Sequence, residues 1–438
     1  MPTQCIQKSF SFQSLGKRGV VARFDGGRIT SDAGGLLLRE VAQKTGLLRQ
    51  FAACFDDHRD PELIEHTVLE LVSQRVVALA LGYEDLNDHE TLRKDIALQT
   101  AAQTDQDLAS ASTLCRWENR ADRETALLIS EWMIAAFIGS HAKPPEELIL
   151  DFDATDDPVH GKQEGRFFHG YYDHYCFLPL YVFCGDQLLV SYLRRSNLDG
   201  ARHAWAILAL LVKRLRDAWP QAKIIFRGDS GFCRWRMLRW CENHGVYYIV
   251  GLAKNNRLNA LARRLLDYAR RRYAETGEKQ RLFGKIQYAA FTWDRPRRVI
   301  IKAEHTEQGD NPRYVVTNLA GENQALYDEM YCARGEMENR IKEQQLDLFA
   351  DRTSCTRWWA NQFRLLLSSL AYLLLEAIRR LGLKGTALAQ AQCGTIRLKL
   401  LKIGAVIRRN TRRVYFHLSS ACPYRELFFR VARRLSTA

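Results

Sequence analysis

The chain has 438 residues, and its 64 lysines and arginines outnumber its 50 aspartates and glutamates, for a net charge of +14. At roughly 100–200 residues per domain this length excludes a single minimal domain, and 47% apolar with 26% charged residues excludes a disordered tail. The surplus charge therefore sits on a folded protein and calls for a polyanion, either nucleic acid or an anionic membrane surface.

The first nineteen residues lack an apolar core and a small-residue cleavage site, so no signal peptide is expected. The longest apolar stretch, Leu365 to Ile378, is broken by Ser368, Ser369 and Glu376. It falls short of the roughly 18 residues that span a bilayer and reads as a core helix. Eleven cysteines, from Cys5 to Cys422, show no CxxC pair, which suits reduced thiols in a cytoplasmic protein and favours nucleic acid over membrane.

Residues 1–143 read as a mostly helical, DNA-binding region: Leu36 to Leu48, Glu62 to Leu81 and Ala126 to Ile138 carry apolar residues at helical spacing. Pro144 and Pro145 mark a boundary. Over 144–251 the period changes. Strands are expected at Leu148–Asp153, Phe177–Cys184 and Leu188–Leu193, a helix at Gly200–Ala218, a strand at Lys223–Arg227, a helix at Arg234–His244 and a strand at Val246–Val250. The order β-β-β-α-β-α-β predicts three antiparallel strands followed by two joined through crossovers. Residues 252–321 shift composition again, to a basic helix and β-rich segments, and read as an insertion. Residues 322–385 return to helix, Gln324 to Asp347 and then Trp358 to Leu381. Residues 386–438 form a basic, helical C-terminal region. From Ala391 onward there are eleven basic residues against one acid, a net of +10. Arg408, Arg409, Arg412 and Arg413 lie among Leu, Ile, Val, Tyr415 and Phe416, as a face that tracks phosphates or, more blandly, as a solvated basic surface.

Two acids close strands at comparable places: Asp153 in DFDATDD and Asp229 in IIFRGDSG. If strands one and four lie side by side, the carboxylates meet at one sheet edge. On the later helix Tyr331, Arg334, Glu338 and Lys342 fall on one face. A helical glutamate facing two sheet aspartates completes a cage of hard oxygen donors suited to Mg2+, and two such ions serve in-line phosphoryl displacement. Taken singly, each acid also fits an ordinary strand end or a surface ion pair.

LDFDATDDPVHGKQEG, FRGDSGF and the Tyr331, Arg334, Glu338 spacing resemble the three acidic motifs of DDE transposases of bacterial insertion sequences. Within them, SDAGGLLLRE, QRVVALALGYEDLNDHETLRKD, NRIKEQQLDLFADRTSC and WANQFRLLL are similar to the thirteen-eighty family. The resemblance implies an α/β, RNase H-like catalytic domain, a mixed five-stranded sheet with flanking helices interrupted by a β-rich insertion, plus helical N- and C-terminal regions. It implies Asp153, Asp229 and Glu338 as catalytic, metal-binding residues for two Mg2+ ions, with Mn2+ as a substitute, and Tyr331 and Arg334 as DNA contacts. The implied partner is double-stranded DNA, both terminal inverted repeats and target, bound by a homodimer in a nucleoid-associated, cytoplasmic setting. A signature lysine is expected seven residues after the glutamate, where this chain has Gln345; Lys342 is the substitute at hand. Asp151, two residues back on the same strand face, competes with Asp153 for the first position. Two other readings stay open, a transposase-derived repressor that binds without cutting and an RNase H-fold nuclease.

Several further motifs carry a functional and a plain reading. His160 and Gln163 orient water or DNA, or bond within a loop. His169, His174 and Cys176 suggest zinc, or belong to a strand and its turn. Asp85, Asp88 and His89 suggest a metal loop, or a solvated turn. Ser112 and Thr113 are expected to cap a helix bearing Arg116, Trp117, Asn119 and Arg120, suited to a major groove. Trp293 stacks on a base, or packs in a strand.

Overall fold

The computed structural model describes residues 9–436. Residues 1–8, with Cys5 and part of the segment expected to lack a signal peptide, and residues 437–438 lie outside the described residues. The chain divides into two compact units, the described residues of Met1–Ala52, Asp57–Cys115 and Leu374–Ala438 in one, and Ala53–Asp56 with Arg116–Leu373 in the other.

The second unit is built on one large mixed sheet. Its elements in chain order are α1 (Arg123–Gly139), β1 (Glu147–Ala154), β2 (Leu180–Cys184), β3 (Gln187–Tyr192), α2 (Ala204–Ala218), β4 (Lys223–Gly228), α3 (Trp235–Asn243), β5 (Tyr247–Leu252), α4 (Asn256–Thr276), β6 (Gln280–Tyr288), β7 (Arg297–Thr306), β8 (Arg313–Thr317), α5 (Gly335–Lys342) and α6 (Trp358–Ala377), the last belonging to this unit up to Leu373. The strand order is β6-β7-β8-β5-β4-β1-β2-β3. Strands β1, β4 and β5 run parallel, with Arg227 opposite Asp151 and Gly228 opposite Phe152; β2 and β3 add antiparallel on one side. The strands of residues 252–321 are not set apart from this sheet. They extend it, because β8 pairs antiparallel with β5 and carries β7 and β6 outward.

Period-two alternation sorts the side chains of β1 and β4. Phe152 and Phe226 point to one face, where their rings meet at 5.2 Å within a core that takes in Phe137 of α1, Leu208 and Leu211 of α2 and Leu238 of α3. Asp151, Asp153 and Arg227 point to the other. On that face Ile225, Ile249, Ile300 and Val315 pack beneath Leu326 and Tyr327, and Phe183 of β2 meets Tyr372 of α6 edge to face at 5.7 Å.

In the first unit the terminal regions are not wholly helical. Ser9–Leu15 and Arg18–Arg23 pair as a hairpin turning at Gly16, whose φ of +61° favours glycine. Ala405–Arg409 and Val414–Leu418 form a second hairpin, where a basic helix was expected. The period there is two rather than 3.6: Ala405 and Ile407 turn inward, Ile407 onto Ile96 and Ala97, while Val406 and Arg408 turn out. The Asn410 side chain accepts the Arg412 and Arg413 amides at 2.9 and 2.8 Å and closes the turn. The helix expected over Glu62–Leu81 begins only at Val68, where Thr67 and Glu70 form a capping box. His89 is fully buried against Gln74 at 2.9 Å, in place of the expected solvated turn.

Asp151 and Arg227 are both buried, and their bidentate pairing joins β1 to β4. Removing one partner of a buried pair leaves an uncompensated charge, so Asp151→Asn should lower unfolding stability by about 3–5 kcal/mol. The paired apolar replacement D151L/R227M should regain most of that loss; urea denaturation of the three proteins checks both outcomes.

Candidate active site

The site forms where β1 and β4 end. Asp153 stands at the open end of β1, one residue before the strand stops. Asp229 follows β4 directly and caps a single turn, its Oδ1 accepting the Gly231 amide at 2.9 Å. Parallel pairing of the two strands is what makes two residues 76 apart in sequence neighbours here.

Glu338 reaches the site from α5. The helical run from Asn323 to Asp347 is not one regular helix: Leu326–Tyr331 and Glu343–Asp347 are wide turns flanking the α-helical Gly335–Lys342, with a tight turn at Cys332–Arg334. Such irregular turns rotate the side chains downstream of them and recur at functional sites. The wide turn at Leu326–Tyr331 and the tight turn after it place Arg334 between two acids. Its guanidinium donates to Asp153 Oδ2 at 3.1 Å and to Glu338 Oε1 at 2.6 Å. Asp229 lies within electrostatic reach of the same guanidinium.

Burial raises the Asp153 carboxyl to about 6; the neighbouring charges of Asp229 and Glu338 push the same way, and Arg334 and the Ala154 amide oppose them. Sheet and helix thus bring together three acids and one cation. Among the described residues no group of three His, Cys, Asp or Glu side chains converges closely enough to hold a metal ion. The donor chemistry of the three carboxylates suits a hard cation all the same, and the space between Asp153 and Glu338 is filled by positive charge from Arg334.

Asp151 is not equivalent to Asp153. Both its oxygens are taken by Arg227, whose NH1 also donates to the Met330 carbonyl. The pair thus ties the strand ends to the turn preceding Arg334. Tyr331 is held by a close fit: a methyl group on Gly251 of β5 would meet the Tyr331 hydroxyl at 2.5 Å and the Ser230 amide nitrogen at 2.8 Å. Gly251 carries no motif, and the signal that finds it is a glycine inside the strand pattern YYIVGL, which marks close backbone approach. Gln345 donates to the Asp156 carbonyl at 2.9 Å and so fastens the segment after β1. Lys342 is exposed, with no ion pair to Glu338.

Other expected contacts are placed as follows. The helix bearing Arg116 runs Ala111–Glu118 and is capped by Ser110, whose hydroxyl accepts the Thr113 amide at 3.3 Å, not by Ser112 and Thr113. Arg116 is exposed, but Trp117 is buried, 5.0 Å from the Phe363 ring, and offers nothing to a groove. Arg408, Arg412 and Arg413 are exposed on the C-terminal hairpin, and Arg409 is paired with Asp105 at 3.0 Å. Trp293 packs on Tyr288 at 5.7 Å, in the turn between β6 and β7. His174 bonds Asp156 at 2.9 Å and Cys176 is buried, and among the described residues neither belongs to a group of three metal-ligating side chains.

Residues 12–438 match the family described as transposase DDE domain group 1, and the chain belongs to that family of DNA-cleaving transposases. No curated protein is a significant match. A solved structure, the cryo-EM structure of a piggyBac transposase synaptic complex with hairpin DNA, is similar at 10% identity over 84% of this chain and 80% of that one, with a TM-score of 0.42. Among the described residues no helix is long and apolar enough to cross a membrane.

Two outcomes follow. Because the Asp153 carboxyl sits above its unfolded value of about 3.9, its contribution to stability is complete below that pH and is lost as pH rises through about 6. Asp153→Asn should therefore stabilise the fold at pH 8 by about 1–3 kcal/mol and do little at pH 4, as thermal melts at the two pH values will read. Gly251→Ala should cost about 1–3 kcal/mol through overpacking against Tyr331 and Ser230. Adding Tyr331→Phe, which removes the clashing hydroxyl, should restore part of it in urea titrations.

Proposed function

We propose that this chain binds the ends of an insertion sequence and catalyses metal-dependent DNA strand cleavage and strand transfer, on an RNase H-like catalytic domain. The observation that carries this reading is the gathering of Asp153, Asp229 and Glu338 about Arg334 at the ends of β1 and β4. An all-carboxylate donor set suits Mg2+, with Mn2+ as a substitute. Asp153, Asp229 and Glu338 would hold the ions once Arg334 turns away. Two divalent ions supply charge stabilisation to the attacking and leaving oxygens of an in-line displacement.

The chain's own groups do the positioning. Arg334, released from Asp153 and Glu338, offers its planar fork to a backbone phosphate. Tyr331, fixed against Gly251, presents its hydroxyl beside it. Asp153 is ionised above about pH 6 and therefore available as a ligand at pH 7–8. In the first step a water oxygen bonds to phosphorus, the P–O3′ bond breaks, and a water proton passes to the leaving oxygen as a 3′-hydroxyl. In the second that hydroxyl attacks phosphorus in the opposite or target strand and displaces another 3′ oxygen. Lys342 and the exposed Arg116, Arg408, Arg412 and Arg413 are assigned to phosphates along the duplex; Arg409 joins them only by giving up Asp105. Synapsis of two ends calls for a homodimer, acting at the nucleoid.

Asp229→Asn keeps shape and removes charge. It should reduce Mg2+-dependent cleavage of end-containing DNA by roughly a thousand-fold, the equivalent of about 4 kcal/mol of lost transition-state stabilisation. Affinity for the same DNA in EDTA should hold within about two-fold by gel shift, because the metal ligand makes no phosphate contact of its own. Undiminished cleavage would remove Asp229 from the site.

A further inference from the structure

The segment after β1 folds into a small three-stranded sheet in which Asp157–Pro158 and Phe167–His169 both pair with His174–Phe177. It begins four residues past Asp153. Cross-strand pairing sets Phe168 opposite Tyr175 and His169 opposite His174. One face and the tip carry rings that the fold does not cover: Phe168 is 52% exposed, Tyr171 84% and Tyr175 47%. Phe168 and Tyr175 meet edge to face at 5.7 Å. The Arg166 guanidinium lies 4.6 Å from the centre of the Tyr175 ring, and no acidic partner is within ion-pair distance among the described residues. The opposite face turns toward the catalytic strand through His174, bonded to Asp156, and Tyr172, which feels the charges of Asp156 and Asp153.

Exposed aromatic rings cost solubility and are a poor way to hold a polar duplex surface, whose rim is phosphate. They suit the flat face of an unpaired nucleobase, to which every base offers the same π surface, while an arginine with no acidic partner suits the adjoining phosphate. A second copy of the chain would also cover apolar rings. Against that occupant stand the uncompensated Arg166 and the short path to Asp153, where strand cleavage creates a new end whose terminal pairs open more readily than internal ones. We propose that Phe168, Tyr171 and Tyr175, with Arg166, form a stacking platform for unpaired bases of the DNA strand next to the cleavage position. This rests on the transposase reading above and adds to it the substrate form the site accepts, an end with frayed or single-stranded bases.

The test uses the full chain in EDTA, so that no cleavage is required. The probes are a 30-base-pair mixed-sequence duplex with blunt ends and the same duplex with a three-nucleotide unpaired 3′ tail bearing 2-aminopurine. Wild-type protein should quench the 2-aminopurine fluorescence and bind the tailed probe ~5- to 100-fold more tightly than the blunt one, the range expected for one stacked base. Tyr171→Leu with Tyr175→Leu keeps apolar bulk and loses the π faces; quenching and tail preference should both vanish. Tyr171→Phe with Tyr175→Phe should retain both, and it guards against loss through misfolding alone. Equal affinity of wild type for the two probes overturns the proposal. So does a leucine variant that keeps the tail preference but sediments as a smaller species, since the rings would then serve a second copy. The transposase reading fails separately, on Asp229→Asn cleavage, and these binding results stand apart from it.

Discussion

The buried ion pair between Asp151 and Arg227 holds the strand ends of the candidate site and the following helical run in register. Parallel pairing alone brings β1 and β4 side by side, but it does not say where the following helix must sit. Arg227 fixes that with its third contact, to the carbonyl of Met330, the residue before Tyr331 and four before Arg334. A guanidinium suits this task better than an ammonium: its fork meets the carboxylate with two parallel bonds and leaves a further N–H for a third group. Buried ion pairs are weak sources of stability. This one is better understood as setting position, with the desolvation of two charges as its cost.

The acids of the site place a second electrostatic demand on the fold. Burial strips the Asp153 carboxylate of water and is the main reason its carboxyl stands at about 6, with the nearby charges of Asp229 and Glu338 adding repulsion in the same direction. Arg334 relieves the strain by standing between Asp153 and Glu338. A site arranged this way is less stable than its uncharged equivalent, the usual relation between function and stability where charges are gathered to do chemistry.

Much of this was legible in sequence, and the reasons differ by element. The strands of the central sheet announce themselves because parallel strands buried on both faces read as short apolar runs, as in Leu148–Ile149–Leu150 and Ile224–Ile225–Phe226. Asp153 and Asp229 were legible as acids at the strand ends, each three residues past its apolar run, although Asp151 stayed a competitor for the first position. The terminal hairpins were not: Ala405–Arg409 is five residues long, and so short a β-branched stretch flanked by arginines fits helix and strand equally well until Asn410 closes the turn. Nor was the break in the long helix, since wide turns leave the apolar spacing of Leu326, Tyr327 and Met337 nearly intact while rotating Arg334 and Glu338. Gly251 and Arg227 act through contacts with residues 80 and 103 positions away, which no local pattern reports.

Gln345 shows how a departure from a motif acquires meaning only in three dimensions. In sequence it is a missing cation. In the fold its amide donates to the Asp156 carbonyl, two residues beyond Ala154, and Asp156 in turn accepts from His174. A lysine in its place offers a charged donor to the same carbonyl but cannot hold a neutral amide contact without drawing in a counter-ion. The glutamine thus fastens the aromatic hairpin to the helical run without adding charge beside Asp153. Among the described residues Arg334 is the cation that donates to both Asp153 and Glu338, and its guanidinium supplies the positive charge between those acids.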